Sequence, residues 1–261
     1  MAKKKALDIR ATFLGLLAVG VGIFAWQMIG TLGLVPKALL ATPAEVWAAL
    51  IEIWHEGYRG TTLFENIAAT LGRCILGFLA AVALGVPLGL WMGISKMTEA
   101  SLNFMVQFLR PLPPLSYLVL LILWFGIGDF SKIMLLFLTA FPTIATASMA
   151  GVRQVNRKRI DAARSLGANS RQIFHHVLLP GALPMIFTGL RIAIAAAFSS
   201  VVAAELMAAS NGLGWMVFSA SRNMRTDIIL LGIILLGIFG MVLSRTLVAI
   251  DTHMIHWRGY D

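Results

Sequence analysis

The chain has 261 residues, 59% of them hydrophobic and 13% charged, with a formal net charge of +9 and a mean hydropathy of +0.84. Soluble domains carry roughly 25% charged residues, so a water-soluble fold of this length could not cover its own surface. The apolar runs are continuous and lack the alternation of a barrel strand, which makes the chain an all-α, polytopic membrane helix bundle.

Six spanning helices are expected. The first covers about 11–29 and is preceded by Lys3, Lys4, Lys5 and Arg10. That basic start resembles a signal peptide, but the run is long and has no convincing small-x-small cleavage site, so it reads as an uncleaved span. Within 31–62, Pro43 opens a short amphipathic helix through Trp54, with Leu50 and Ile51 on its apolar side; it is expected to lie at the membrane interface. The remaining spans are expected over 67–94, 104–125, 133–150, 183–206 and 228–250. Pro111, Pro113 and Pro114 interrupt the third near its start and mark a hinge. The domain organisation follows: 1–62 holds the N-terminal helix and the outer interfacial helix, and 63–261 the transmembrane core with a loop at 151–181. Cys74, the one cysteine, excludes an internal disulfide and reads as a small packing residue.

Charge orients the chain. With a cytosolic N terminus, six spans return the C terminus to the cytosol. Thirteen basic residues, Arg258 among them, then fall in cytosolic segments and five, Lys37 among them, in outer ones. That is the direction of the positive-inside rule, and it puts both termini and the 151–181 loop in the cytosol. The net charge is thus a topology signal, and nucleic-acid binding is not expected.

The loop has internal punctuation. Ile160, Ala163 and Leu166 recur at helical spacing. Gly167 follows, where a glycine suits a left-handed C-terminal cap. Asn169 and Ser170 offer N-cap side chains for a second helix. That helix sets Ile173, Phe174, Val177 and Leu178 on one face, and Pro180 is expected to stop it. The loop reads as helix, glycine corner, helix.

Here a family resemblance enters. Asp161-Ala162-Ala163, then Gly167, then Val177-Leu178-Leu179-Pro180 resembles the cytosolic motif of ATP-binding-cassette importer permeases: Glu-Ala-Ala, three residues, Gly, nine residues, Ile-x-Leu-Pro. The spacing matches throughout, with Asp161 standing for the usual Glu and Val177 for the usual Ile. Arg110-Pro111-Leu112-Pro113-Pro114, Trp124-Phe125-Gly126-Ile127-Gly128, Leu179-Pro180-Gly181-Ala182-Leu183-Pro184, Thr188-Gly189-Leu190-Arg191 and Val202-Ala203-Ala204-Glu205-Leu206 resemble the taurine, aliphatic-sulfonate and nitrate permease subfamily, and taurine permeases most. The resemblance implies a type I importer permease working as a homodimer in the bacterial inner membrane. Two cytosolic ATPase subunits would sit beneath it and a periplasmic solute-binding protein would dock above. The cargo implied is taurine or another alkanesulfonate; nitrate, bicarbonate or an aromatic carboxylate is the alternative. ATP and Mg would bind the partner ATPase, so the chain is expected to be no enzyme and to hold no cofactor. The resemblance assigns ATPase coupling to Asp161, Ala162, Ala163, Leu166, Gly167, Ile173, Val177 and Pro180.

Polar residues within the spans form a second set. A charge at mid-bilayer costs ~2.5–3.5 kcal/mol on insertion scales, so Arg73, Arg110, Arg191 and Glu205 need partners, headgroups or a wet cavity. Arg110 and Arg191 either snorkel to lipid phosphates or line a path for an anion. Glu205 would repel an anion, which makes it an arginine's partner or part of an outer gate. Gly212-Leu213-Gly214-Trp215 is expected to form a short helix in the outer loop. Arg110, Arg191, Glu205, Trp215 and Met216 are the candidates for a translocation path. His175 and His176 are adjacent, point different ways and have no third ligand at metal spacing, so no metal site is expected. No P-loop, Gly-x-Ser-x-Gly or His-Glu-x-x-His pattern occurs. An intramembrane enzyme would need paired ionisable groups deep in facing spans. An ion-coupled transporter would need coupling groups at mid-depth and would have no use for an ATPase-docking loop.

Overall fold

The computed structural model describes residues 2–36 and 38–255, and for residues 2–13 and 16 only the backbone. The charges counted at Lys37 and Arg258 lie outside them. The regular elements among the described residues are helices: α1 Ala2–Thr31, α2 Pro43–Glu56, α3 Leu63–Ile94, α4 Lys96–Leu109, α5 Pro114–Phe125, α6 Asp129–Gln154, α7 Arg157–Ser165, α8 Ser170–Ile173, α9 Leu179–Ala208, α10 Leu213–Ser221 and α11 Thr226–Met254.

Four helical segments are long and apolar enough to cross a membrane: α3 with 32 residues, α6 with 26, Ser170–Ala208 with 39 and α11 with 29. The span expected over 104–125 is instead two helices, α4 and α5, bent by 98°. Prolines explain the break. Pro111, Pro113 and Pro114 each lack an N–H, and a proline drives the residue before it out of the α region. Pro113 accordingly sits at φ −60°, ψ 127°. The six expected spans therefore appear as four unbroken helices, one bent pair, and α1, in which Leu17–Thr31 is a shorter apolar helix.

Pro180 also departs from expectation. It does not stop the second loop helix. The five residues Phe174–Leu178 form a π turn that joins α8 to α9, and Pro180 lies in the first turn of α9. In the π turn the Leu179 N–H reaches back to the Phe174 carbonyl. This i→i−5 register loosens the turn on which the proline ring would otherwise clash, so the helix runs on.

The chain forms two compact units. One comprises the chain up to Asn66 with Met216–Leu235; the other comprises Ile67–Trp215 with the chain from Leu236 onward. In the first, a capping box closes the N-terminus of α2: the Glu45 N–H donates to Thr42 Oγ1 at 3.3 Å and the Thr42 N–H to Glu45 Oε2 at 2.8 Å. The Trp26 indole N–H donates to the Ala41 carbonyl at 2.9 Å. Arg225 donates to Glu52 Oε2 and Asp227 Oδ2, both at 2.8 Å, and these bonds hold its guanidinium still more firmly protonated than usual.

In the second unit α6 packs along α9, with α3 against α6. Cys74, Phe78, Leu136, Ile144, Ile186, Leu190 and Ile194 belong to its buried core. In lipid the tails are as apolar as the side chains, so packing supplies the attraction and small residues set it. Gly77, Gly85, Gly89 and Gly93 form that stripe on α3. A Cβ at Gly89 would overlap the Ala145 carbonyl, and one at Gly77 would come 2.6 Å from Leu136 Cβ.

Candidate functional site

The loop between α6 and α9 lies at one end of the second unit. Asn156 caps α7, its Oδ1 accepting from the Lys158 N–H at 2.9 Å. No residue of α7 is buried, and Leu166 is 89% exposed. Gly167 ends the helix at φ +84°. Its N–H donates to the Arg164 carbonyl at 2.9 Å and the Ala168 N–H to the Ala163 carbonyl at 3.0 Å. This pair is a Schellman cap, which satisfies carbonyls the helix end leaves open. Asn169 then starts α8 in a second capping box: its Oδ1 accepts from the Gln172 N–H at 2.9 Å, and its own N–H donates to Gln172 Oε1 at 2.8 Å.

The outcome is a groove of about 380 Å³ lined by Ala163, Leu166, Gly167, Ala168, Gln172, Ile173, His176 and Val177. Five coupling residues expected from the sequence therefore meet in one place. Asp161 is exposed, 3.8 Å from Arg164, and Ala162 is exposed beside it. Ile173 is buried and Val177 half-buried. Pro180 lies beyond the groove in α9. The imidazoles of His175 and His176 approach the Arg171 and Gln172 carbonyls one turn back, and no metal-type cluster of His, Cys, Asp and Glu occurs among the described residues.

The opposite end of this unit holds a buried polar cluster. Its centre is Arg73 of α3, 4% exposed. The guanidinium donates to Glu205 Oε1 of α9 at 2.6 Å, to Asp129 Oδ1 of α6 at 2.8 Å, and to both the carbonyl and side chain of Asn211. Glu205 has no exposed surface. It also accepts from the Thr70 hydroxyl at 2.9 Å and the Gly214 N–H at 3.0 Å. The Thr70 oxygen in turn accepts from the Leu213 N–H at 2.8 Å. Gly212 stands at φ +117°, and a Cβ there would fall on the Glu205 carboxylate. Lys132, also buried, donates from Nζ to the Gly128 carbonyl at 3.0 Å. Two cations and two carboxylates thus share this end, and the loop 209–212 is fixed to α3 through Arg73.

Arg110 is exposed at the α4–α5 turn. Trp215 is half-buried and Met216 fully buried. Arg191 lies 3.4 Å from Asp251, whose side chain is 4% exposed. Sequence reasoning named Arg73 and Glu205 without pairing them, and it missed Asp251, Asp129, Thr70 and Asn211. The available signal was the rule that a buried charge requires its opposite. Two glycines close after Glu205 were a second signal, since bulkier residues would displace the carboxylate.

Arg191 yields a prediction. Arg191→Gln removes a cation 3.4 Å from the buried Asp251 carboxylate, at an expected cost of about 1–3 kcal/mol. The melting temperature in detergent should fall and should recover when Asp251→Asn is added. If the double variant regains stability but not uptake, the charge at 191 serves the solute; if it regains both, the pair is structural.

Residues 85–256 match the family described as binding-protein-dependent transport system inner membrane component. The taurine transport system permease protein TauC of Escherichia coli K12 is 41% identical over 96% of this chain and 91% of that protein. The bicarbonate transport system permease protein CmpB of Synechocystis is 28% identical over 93% of this chain and 88% of that protein. Among solved structures, an inward-facing form of the MetNI methionine ABC transporter superposes with a TM-score of 0.57 at 23% identity, over 71% of this chain and 95% of that one. An amino acid ABC transporter solved with histidines superposes at 0.56 and 17% identity, over 74% and 92%. These two likenesses support the all-α importer-permease fold.

Proposed function

The chain belongs to the binding-protein-dependent transport-system inner-membrane components, and on that premise we propose that its cargo is taurine or a closely related alkanesulfonate. It is a multi-pass permease subunit of an ATP-driven importer; in this family ATP is hydrolysed on a separate subunit. The cargo reading is supported by one observation above the rest: the likeness to a taurine permease is much stronger than that to a bicarbonate permease and runs nearly end to end. In this reading two copies of the chain form the membrane passage. A cytosolic ATPase seats against each exposed α7–Gly167–α8 corner, and a periplasmic binding protein delivers solute at the opposite end. The corner suits that task physically. Its backbone is closed on itself by two caps, so it can bear a load, and the small side chains of Ala162 and Ala163 allow a close approach.

The test of cargo is uptake into vesicles that hold the permease, its ATPase and its binding protein. Labelled taurine is expected to accumulate with ATP. Accumulation of nitrate or bicarbonate with taurine excluded would overturn the assignment. Orientation has its own check. In a Cys74→Ala background, Gln172→Cys is expected to resist an impermeant thiol reagent in intact spheroplasts and to react in inverted vesicles. Labelling from outside would reverse the orientation and separate the corner from any cytosolic ATPase.

A further inference from the structure

We propose that the outward face of α2 is a lipid-binding surface, with Trp47, Ile51 and Trp54 seated at the boundary between headgroups and acyl chains. At 3.6 residues per turn these three fall within an arc of about 60°. They are 64%, 47% and 69% exposed, although two are the largest side chains there are. The protein takes a different arc of the helix: Val46, Ala49 and Ile53 are buried. A third arc is acidic and carries Glu45, Glu52 and Glu56. The helix is therefore divided three ways, between protein, an unfilled aromatic face and water.

Lipid fits the aromatic face for three reasons. The helix has 14 residues, about 21 Å at 1.5 Å per residue, too short for a hydrocarbon core of about 30 Å. Tryptophan, with an apolar ring and one N–H donor, favours the membrane interface over either bulk phase. The face also continues a lipid-facing surface, because Phe64, 73% exposed, stands at the start of the spanning helix α3. The acidic arc then has a role: carboxylates stay in water, so they fix the rotation that presents the tryptophans to the bilayer. Glu52 is further tied to Arg225, and Glu45 is engaged in its cap. Helices that lie on membranes commonly use basic residues to attract anionic lipid. This one bears acid on its polar edge, so aromatic burial holds it, and the attachment should be indifferent to lipid charge and to salt.

Spin labels test this without reference to transport. In the Cys74→Ala background, the full chain carries a nitroxide at Ile51→Cys or at Glu56→Cys, in vesicles of zwitterionic lipid alone or with one third anionic lipid. Folding is checked by thermal melting of each labelled protein. At Ile51 the label should collide more with oxygen, which partitions into the bilayer, than with a water-soluble nickel chelate, at a depth of about 5–10 Å. The order should reverse at Glu56, and neither lipid charge nor salt should alter it. A nickel-accessible label at Ile51 in the permease alone overturns the proposal. So does a label that becomes immobile there only when a binding protein is added, which would assign the face to that partner.

Discussion

Arg73→Leu is expected to cost about 3–5 kcal/mol, because it strands a carboxylate that has no exposed surface. The loss should appear as a fall in the melting temperature and as release of the loop 209–212, seen as protease cleavage there. The complementary change, Glu205→Leu, should be milder. Arg73 keeps Asp129, whose side chain is 65% exposed, and it keeps both bonds to Asn211. The pair replaced together, Arg73→Leu with Glu205→Leu, should recover much of the loss of the first single variant, because an apolar pair of similar volume avoids the desolvation of two ions. An Arg73→Leu protein that melts with the native one would show that the cluster does not hold this end of the unit.

At the other end, Gly167→Val is expected to uncouple the protein without unfolding it. No atom stands within 4 Å of where a Cβ would be, so the cost lies wholly in the backbone at φ +84°. A left-handed residue with a Cβ is disfavoured by roughly 1–2 kcal/mol, which lowers the ratio of native to altered corner by about 5–30-fold. Solute-stimulated ATP hydrolysis in the assembled complex should fall, by up to that factor, while thermal stability stays native. Gly167→Asn is the control: asparagine tolerates the left-handed region and should retain most of the stimulation. Equal loss in both variants would point to side-chain volume at the docking surface as the cause.

The loop was legible because its determinants are local. Gly167, Asn169 and Gln172 lie within six residues and specify cap, corner and restart among themselves. Pro180 was misread because a proline's effect depends on the hydrogen-bond register of the turn before it, and a π turn leaves no mark in hydrophobic spacing. The break at Pro111, Pro113 and Pro114 was anticipated, but its 98° angle was not, since the direction in which a chain leaves a turn is decided by what the next helix packs on. The buried cluster was half visible. Arg73 and Glu205 were conspicuous as charges in apolar runs, yet they are 132 residues apart, and helical periodicity carries no information about which spans adjoin. Asp251 escaped notice because it falls near the end of α11, where an acid needs no special explanation.

The unbroken segment Ser170–Ala208 joins these two ends in one piece. Its 39 residues form a rod of about 58 Å at 1.5 Å per residue, with the exposed groove at its beginning and Glu205 near its tip. The backbone itself therefore connects the groove to the carboxylate, without a relay of side chains. The π turn at Phe174–Leu178 is the one slack link in that rod. Winding it to an ordinary α turn would take up one residue of register, rotating the groove by about 100° and shifting it by about 1.5 Å relative to the rest of the rod. The helix thus has a slip joint at its foot, in the turn that itself supplies His176 and Val177 to the groove.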